Sequence, residues 1–294
     1  MINSKFTQDI LIIGFGAQAK AWALNLTDSG RKVSIGLRSG STSSKLVKNM
    51  GFEVIELNSP EISDFMFIIN LTSDDQHKQV LQDLSPLLVS EQVIIYAHGF
   101  SVTYQNLKEL YPTQNHILLA PKAIASEVRF NYQCQSPLTG VLSTEFLNDK
   151  HLEEPVLQLA KDLGINVGPI RASFADETKA DLFSEQSLLC SLIPYGAMHS
   201  FEKLISKGIS HDLAYIECWH EVKLIADAML KFGPKDFFEL ISPNALAGGE
   251  LGRERIFNSN LLKILDDIYE DIESGNFFQT TQVTDFQMVS AFFV

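Results

Sequence analysis

Four carboxylates in the second half of the chain stand in two pairs. Asp181 and Glu185 are four residues apart, and so are Glu217 and Glu221. In an α-helix, positions i and i+4 share a face one turn apart. Each pair sits among apolar neighbours: Leu182, Phe183, Leu188 and Leu189 around the first, Ile216, Trp219 and Val222 around the second. Carboxylates on an apolar helix are costly to bury, so they must be exposed, paired with cations or bound to metal. By spacing alone, a solvated face is the commoner reading. Four converging acids would instead hold hard divalent cations, foremost Mg2+. Two such ions could clamp a substrate that carries vicinal oxygens. His220 stands beside Glu221, but no H-E-x-x-H spacing occurs, which argues against a catalytic zinc.

A second constellation lies near the N-terminus. Gly14-Phe15-Gly16-Ala17-Gln18-Ala19 has the form G-x-G-x-x-G/A between an apolar strand pattern and a helical one. In that context Gly14 permits the tight turn, Gly16 lets the backbone approach a pyrophosphate, and Ala19 keeps helix and strand close. The helix N-terminus offers N–H groups and a positive dipole to the anion. NAD sites usually place an acid about 20 residues further on. No acid occurs here from Ser29 to Phe52; Arg38 and the hydroxyls of Ser41, Ser43 and Ser44 stand there instead, with Lys45 nearby. A guanidinium with several hydroxyls suits a 2′-phosphate, so NADP(H) is expected rather than NAD(H). One serine of the run can also cap the next helix while another binds phosphate.

His98 and Lys122 each follow an apolar strand pattern, where ligands bind in parallel sheets. His98 could act on protons or orient a substrate oxygen. Lys122 could neutralise acids or a substrate carboxylate. His77, His116, His151, His199 and His211 have no such context and read as ordinary residues.

The elements that must position these groups follow from hydrophobic period. Residues 9–13, 33–37, 53–55, 65–71, 93–96, 117–119 and 138–142 read as strands. Several are apolar without alternation, the mark of strands covered on both faces in a parallel sheet. Helical patterns lie between them at 17–29, 41–50, 74–84 and 103–110. This βαβα order predicts an α/β, Rossmann-type doubly wound parallel sheet over residues 1–173. From 174 to 294 the texture is all-helical, with patterns at 174–206, 212–232 and 260–273 and breaks at 207–210 and 233–234.

The chain has 294 residues, which suggests roughly two domains. It is 45% hydrophobic and 20% charged, as globular chains are. A net charge of −13 argues against a nucleic-acid partner or an anionic membrane surface. The longest apolar stretches, 65–71 and 93–97, are too short to span a bilayer. Residues 1–10 carry one lysine and no apolar h-region, so no signal peptide is expected. The three scattered cysteines, Cys134, Cys190 and Cys218, suit reduced thiols in a cytoplasmic protein.

Together these segments resemble the ketol-acid reductoisomerases, also called acetohydroxyacid isomeroreductases, in their short form. The likeness runs from about residue 9 to residue 282. Gly14–Ala19 looks like the family's Gly-Tyr-Gly-Ser-Gln-Gly loop, and Gly36-Leu37-Arg38-Ser39-Gly40-Ser41 like its NADP phosphate loop. Ala97-His98-Gly99-Phe100, Pro121-Lys122 and the acidic helices Glu177–Gln186 and Glu217–Glu221 match further motifs. The resemblance implies a Rossmann domain followed by a helical domain that is knotted in the family. It implies conversion of 2-acetolactate or 2-aceto-2-hydroxybutyrate by alkyl migration and NADPH reduction, in branched-chain amino-acid synthesis. It implies Asp181, Glu185, Glu217 and Glu221 as ligands of two Mg2+ ions, and His98, Lys122 and Glu221 as catalytic-site residues. It further implies Ser242 at a substrate carboxylate, and Phe15, Ala17, Gln18 and Asp74 beside the glycines at the cofactor. The partner it implies is a second copy of the chain, in a homodimer with shared active sites.

The chain also departs from the pattern. The family's Pro-Lys-Gly-Pro-Gly is here Pro121-Lys122-Ala123-Ile124-Ala125, Cys-Gly-Gly becomes Cys190-Ser191-Leu192, and the segment after Ser242 reads Pro243–Gly248. The usual Arg-rich tail is replaced by residues 286–294. The chemical residues persist while the walls differ. That pattern keeps two alternatives in view: a reductase of another 2-keto acid, or a paralogue that binds NADP(H) without turnover.

Overall fold

The runs Val33–Leu37 and Phe65–Asn70 are buried at every position. Such strands need helices on both faces. Here the two faces belong to different core layers. Ile10 and Ile12 pack with Trp22, Leu26, Val156 and Leu159, whereas the intervening Leu11 and Ile13 pack with Ile62, Val80 and Leu84.

The structure is a computed structural model that describes Phe6 and residues 8–277. The residues 286–294 named above lie outside the described residues. The chain divides into two compact units, residues 1–178 and 179–294. The boundary falls inside one helix.

The first unit is built on strands β1 (Gln8–Ile13), β2 (Val33–Leu37), β3 (Glu53–Glu56), β4 (Phe65–Asn70), β5 (Val93–Tyr96), β6 (Asn115–Pro121), β7 (Thr139–Phe146) and β8 (Val167–Arg171). Its helices are α1 (Ala17–Asp28), α2 (Ser44–Asn49), α3 (Asp74–Leu84), α4 (Phe100–Tyr104), α5 (Leu107–Leu110), α6 (Ala125–Cys134), α7 (Glu153–Leu163) and the start of α8 (Phe174–Ser184). The strands form one sheet in the order β3-β2-β1-β4-β5-β6-β7-β8. The first six are parallel, and the order reverses between β1 and β4, which opens a crevice at their carboxyl ends.

The sheet departs from the expected all-parallel form at one edge. β7 runs antiparallel to β6, and β8 pairs with it in parallel. β8 is invisible to the hydrophobic pattern because it holds Gly168 and Pro169 and four of its five residues are exposed. That composition belongs at a sheet edge. The helix expected over 103–110 is two short helices, parted by Asn106 in the left-handed region at φ 53°. α6 and α7 lie outside the expected helical patterns; both cover the sheet through Val128, Val156, Leu159 and Leu163.

In the second unit α8 runs on into a π-helical segment, Glu185–Leu192, and then α9 (Ile193–Ser206). α10 (His211–Tyr215) leads through a second π-helical segment, Ile216–His220, to α11 (Glu221–Glu239). The break expected at 233–234 is a kink inside α11, where Gly233 takes φ 77° before Pro234. α12 (Pro243–Ile256), absent from the sequence reading, and α13 (Ser259–Ser274) complete the described part. The starts are capped: Ser210 Oγ accepts from Leu213 N, Ser242 Oγ from Ala245 N, and Asn258 Oδ1 from Asn260 N and Leu261 N. Among the described residues of this unit there is no strand.

Candidate active site

The two glycines of the first loop do different work. Gly14 turns the chain at φ 90°, where an L side chain is strained, and a Cβ there would lie 3.2 Å from the Leu71 carbonyl oxygen. Its N–H donates to Gly36 O at 3.1 Å, while Leu71 N donates to Ile13 O at 3.0 Å. These bonds draw the ends of β1, β2 and β4 together. Gly16 is the reverse case, since nothing lies within 4 Å of a Cβ built on it. The protein's own packing does not require glycine there. The open space suits a ligand that approaches the backbone. Gly16 leads into α1 with no side-chain cap and no acid in the first turn, so α1 itself brings no carboxylate to its N-terminal N–H groups.

A groove of about 260 Å3 opens at this turn, lined by Gly14, Phe15, Arg38, Ser41 and Ser43. Ser43 is the N-cap of α2 but makes no capping bond with its side chain. Its hydroxyl is therefore not committed to the helix, and Ser44 opens that helix. The residues fit a dinucleotide with a 2′-phosphate: an open cradle at a helix N-terminus, then a guanidinium and hydroxyls. Acids do approach from elsewhere in sequence. Glu56 accepts from Ser39 Oγ at 3.4 Å, and Asp83, which accepts from Gln79 at 2.8 Å, lines the groove from α3.

Lys122 follows β6, and its Nζ lies 2.6 Å from Glu177 Oε1. The other oxygen, Glu177 Oε2, accepts from Gly99 N at 3.3 Å. The Glu177 side chain is 1% exposed, and a buried carboxylate needs such partners. The sequence motif by itself assigns Glu177 no role. The available signal was its spacing, because Glu177, Asp181 and Glu185 follow one another at intervals of four. Gly99 lets the start of α8 come this close. A Cβ there would collide with the Thr178 hydroxyl and lie 2.8 Å from Phe174 O.

The loop after Lys122 is tied to the cradle, since Gln18 Nε2 donates to Ala123 O at 3.2 Å. Alanine and isoleucine in place of the family's glycines and proline need no unusual backbone. Among the described non-glycine residues, only Asn106 and Gln135 have positive φ. Ile124 points outward and is 70% exposed.

His98 follows β5, with its Nδ1 3.3 Å from Asp74 Oδ2 at the start of α3. Two histidines without a motif context, His77 and His116, are buried. His77 places Nδ1 2.5 Å from Ser101 Oγ and Nε2 3.1 Å from Thr72 O. His116 places Nε2 2.9 Å from Tyr111 O and Nδ1 3.1 Å from Tyr96 Oη. In each, Nε2–H donates to a carbonyl, and burial holds the pKa below the usual histidine value.

The acid pairs lie at junctions between α- and π-helix. Asp181 is in the last turn of α8 and Glu185 opens the first π segment. Glu217 is in the second π segment and Glu221 opens α11. Such segments recur at functional sites, and a period of 3.6 does not reveal them. Asp181 is half-buried; the other three are exposed. Among the described residues no three His, Cys, Asp or Glu side chains come together as a metal site. The donor set itself, oxygen-only carboxylates, suits Mg2+. Ser242 sits at the N-cap of α12. Capping uses its oxygen as acceptor and leaves the O–H to donate to a carboxylate.

A doubly wound sheet with an open glycine cradle at its switch point, and a histidine and a lysine beyond the next strands, defines a dinucleotide-dependent oxidoreductase. Two family models match the chain: acetohydroxy acid isomeroreductase, NADPH-binding domain, over residues 6–172, and ketol-acid reductoisomerase, C-terminal domain, over residues 174–288. The chain belongs to the ketol-acid reductoisomerase family and is an NADP-binding enzyme of it. It is 38% identical over 269 residues to a ketol-acid reductoisomerase (NADP(+)) of Helicobacter pylori strain Shi470, covering 90% of this chain and 81% of the relative. A solved NADH-preferring ketol-acid reductoisomerase from an uncultured archaeon has a TM-score of 0.82 at 28% identity, covering 93% of this chain and 84% of that one. A Plasmodium falciparum pyrroline carboxylate reductase with NADP bound has a TM-score of 0.63 at 14% identity, covering 90% and 98%, and shares the fold.

Proposed function

We propose that this enzyme converts 2-acetolactate or 2-aceto-2-hydroxybutyrate to the 2,3-dihydroxy acid in branched-chain amino-acid synthesis, with NADPH and two Mg2+ ions, as a cytoplasmic homodimer with shared active sites. The observation that carries this reading is the Lys122–Glu177 pair, in which a buried carboxylate holds an ammonium beyond the carboxyl end of β6. When bound, Mg2+ supplies Lewis acidity for the alkyl shift and NADPH supplies the hydride.

The chain's own residues do the rest. Asp181 and Glu185 from one protomer, with Glu217 and Glu221 from its partner, would hold the metal ions. Lys122, fixed by Glu177, keeps a positive charge at the substrate oxygens. His98 moves or orients a proton there, and the Ser242 hydroxyl donates to the substrate carboxylate. The dimer is supported by the apolar side chains that the second unit leaves outside, among them Leu230 at 85% exposure.

A second reading, an NADPH-dependent reductase of another 2-keto acid, is favoured by Ile124, whose apolar side chain stands out from the altered loop. Both readings are tested by NADPH oxidation with 2-acetolactate, with and without Mg2+, beside an Asp181→Asn variant. Mg2+-dependent turnover that the variant loses supports the first. Turnover only with simple 2-keto acids, independent of Mg2+, would replace it with the second.

A further inference from the structure

We infer that Asp74 is a positioning residue for His98: its carboxylate takes the imidazole Nδ1–H and so presents Nε2 as the lone-pair nitrogen. The inference rests on the reading of His98 as an active-site group.

Asp74 is the first residue of α3, an 11-residue helix, so its charge lies in the positive end of the helix dipole. Two imidazoles face it. Oδ2 is 3.3 Å from His98 Nδ1, and Oδ1 is 3.7 Å from His77 Nδ1. Their protons decide between them. The Nε2 of His77 is 3.1 Å from the Thr72 carbonyl, which can only accept, so Nε2 carries the ring proton. The Nδ1 of His77 then accepts from Ser101 Oγ at 2.5 Å and has nothing to give Asp74. His98 is the imidazole that can donate to the carboxylate. Once it donates through Nδ1, the neutral ring has its lone pair on Nε2.

The same buried His77 holds both ends of the pair. It bonds Thr72, two residues before Asp74, and Ser101, three after His98. The Phe100 ring stacks on His98 at 6.5 Å with 17° between planes. A base oriented by a third group, itself held by packing, is the arrangement by which enzymes fix a histidine tautomer. No sequence spacing joins residues 74 and 98; the crossover from β4 through α3 to β5 brings them together.

The test uses the full-length enzyme and two readouts. The first is the imidazole nitrogen shifts of His98 by 15N NMR, assigned with His98→Gln. An Nδ1–H tautomer in the wild type is expected; an Nε2–H tautomer overturns the proposal without any variant. The second is a split between kcat and binding in Asp74→Asn, Asp74→Ala and Asp74→Glu. Asparagine and alanine should lower kcat for 2-acetolactate by about tenfold or more, and glutamate should recover part of it. The NADPH Kd, from quenching of protein fluorescence, separates this role from the cofactor contact that the resemblance implies for Asp74: kcat should fall by a larger factor than the Kd rises. A Kd that rises by the same factor as activity falls would make Asp74 a cofactor contact instead. If His98→Gln keeps full turnover, the reading of His98 fails first. If it loses turnover while Asp74→Asn keeps kcat, the positioning role alone fails.

Discussion

The two units solve the problem of apolar surface differently. In the first, Ile10, Ile12, Trp22, Leu26, Ile35 and Ile69 are wholly buried within one chain. In the second, the buried apolar residues among those described are Leu182, Ala197, Ala214, Phe237 and Ile272. Leu230, Leu240, Leu251 and Leu262 stand 58–85% exposed there. A sheet with helices on both faces closes its own core. Long helices with wide apolar faces close theirs only against more helix, and a second copy of the same unit supplies it under the proposal above. The contrast extends to chemistry. The glycine cradle and the Lys122–Glu177 pair lie within the first unit, whereas under the proposal above the acid pairs of the second act across two copies of the chain.

The largest effect should come from breaking what the first unit completes alone. Lys122→Met leaves the Glu177 carboxylate buried without its cation. Turnover should fall on the order of 10²–10⁴ fold, and stability by about 2–3 kcal/mol, less than for a fully buried pair because the ammonium is partly solvated. Adding Glu177→Leu should restore the melting temperature but not turnover. A single variant as stable as wild type would show that the pair carries no structural weight.

Next comes the second unit. Leu230→Asp with Leu251→Asp should weaken dimerisation by about 10–100-fold, seen in sedimentation velocity as concentration-dependent monomer. Mg2+-dependent turnover should fall with the dimer while NADPH affinity holds. Wild type that sediments as a fully active monomer would remove the basis of the comparison.

A smaller effect separates the two glycines. Gly14→Ala should cost about 1–2 kcal/mol of stability from its left-handed backbone. Gly16→Ala should melt as wild type does, yet bind NADPH about tenfold more weakly. Equal melting temperatures for both would mean that Gly14 is not conformationally required.

The smallest effect is on pH dependence. Burial lowers the pKa of His77 and His116 in the folded chain, whereas in the unfolded chain they return to about 6.5. The unfolded state therefore binds more protons as pH falls. Stability from these groups is full above about 6.5 and is lost below it, by up to about 1.4 kcal/mol per pH unit for each. Denaturant melts between neutral and mildly acidic pH should show this slope, and His116→Gln should flatten it. An unchanged slope in that variant would place the acid sensitivity elsewhere.

Much of the sheet was legible because a strand buried on both faces leaves an unbroken apolar run. β2 and β5 match their expected bounds, and the run at 65–71 ends one residue later than β4. β8 was not legible, because an exposed edge strand with Gly168 and Pro169 carries no such signal. In the motifs the residue types are legible, but the couplings between them are not. Glu177 to Lys122, Gln18 to Ala123 and Asp74 to His98 each join segments that pair spacing cannot relate. The serine run left open whether a hydroxyl caps α2, and the bare N-cap of Ser43 answers it.

The sequence by itself determined what local rules govern. Those are the turn at Gly14, the helix that starts behind Gly16, the i, i+4 acids and the absence of an acid after β2. Each depends on residues within a few turns of one another. Tertiary structure alone decided which acids meet which cations, that Asp83 and Glu56 approach the cofactor loop, and which apolar faces are covered. Those outcomes depend on the order in which strands assemble and on how closely a backbone can approach. Gly99 shows both levels at once: the sequence names a glycine, and only the packing of α8 against it shows why no side chain fits.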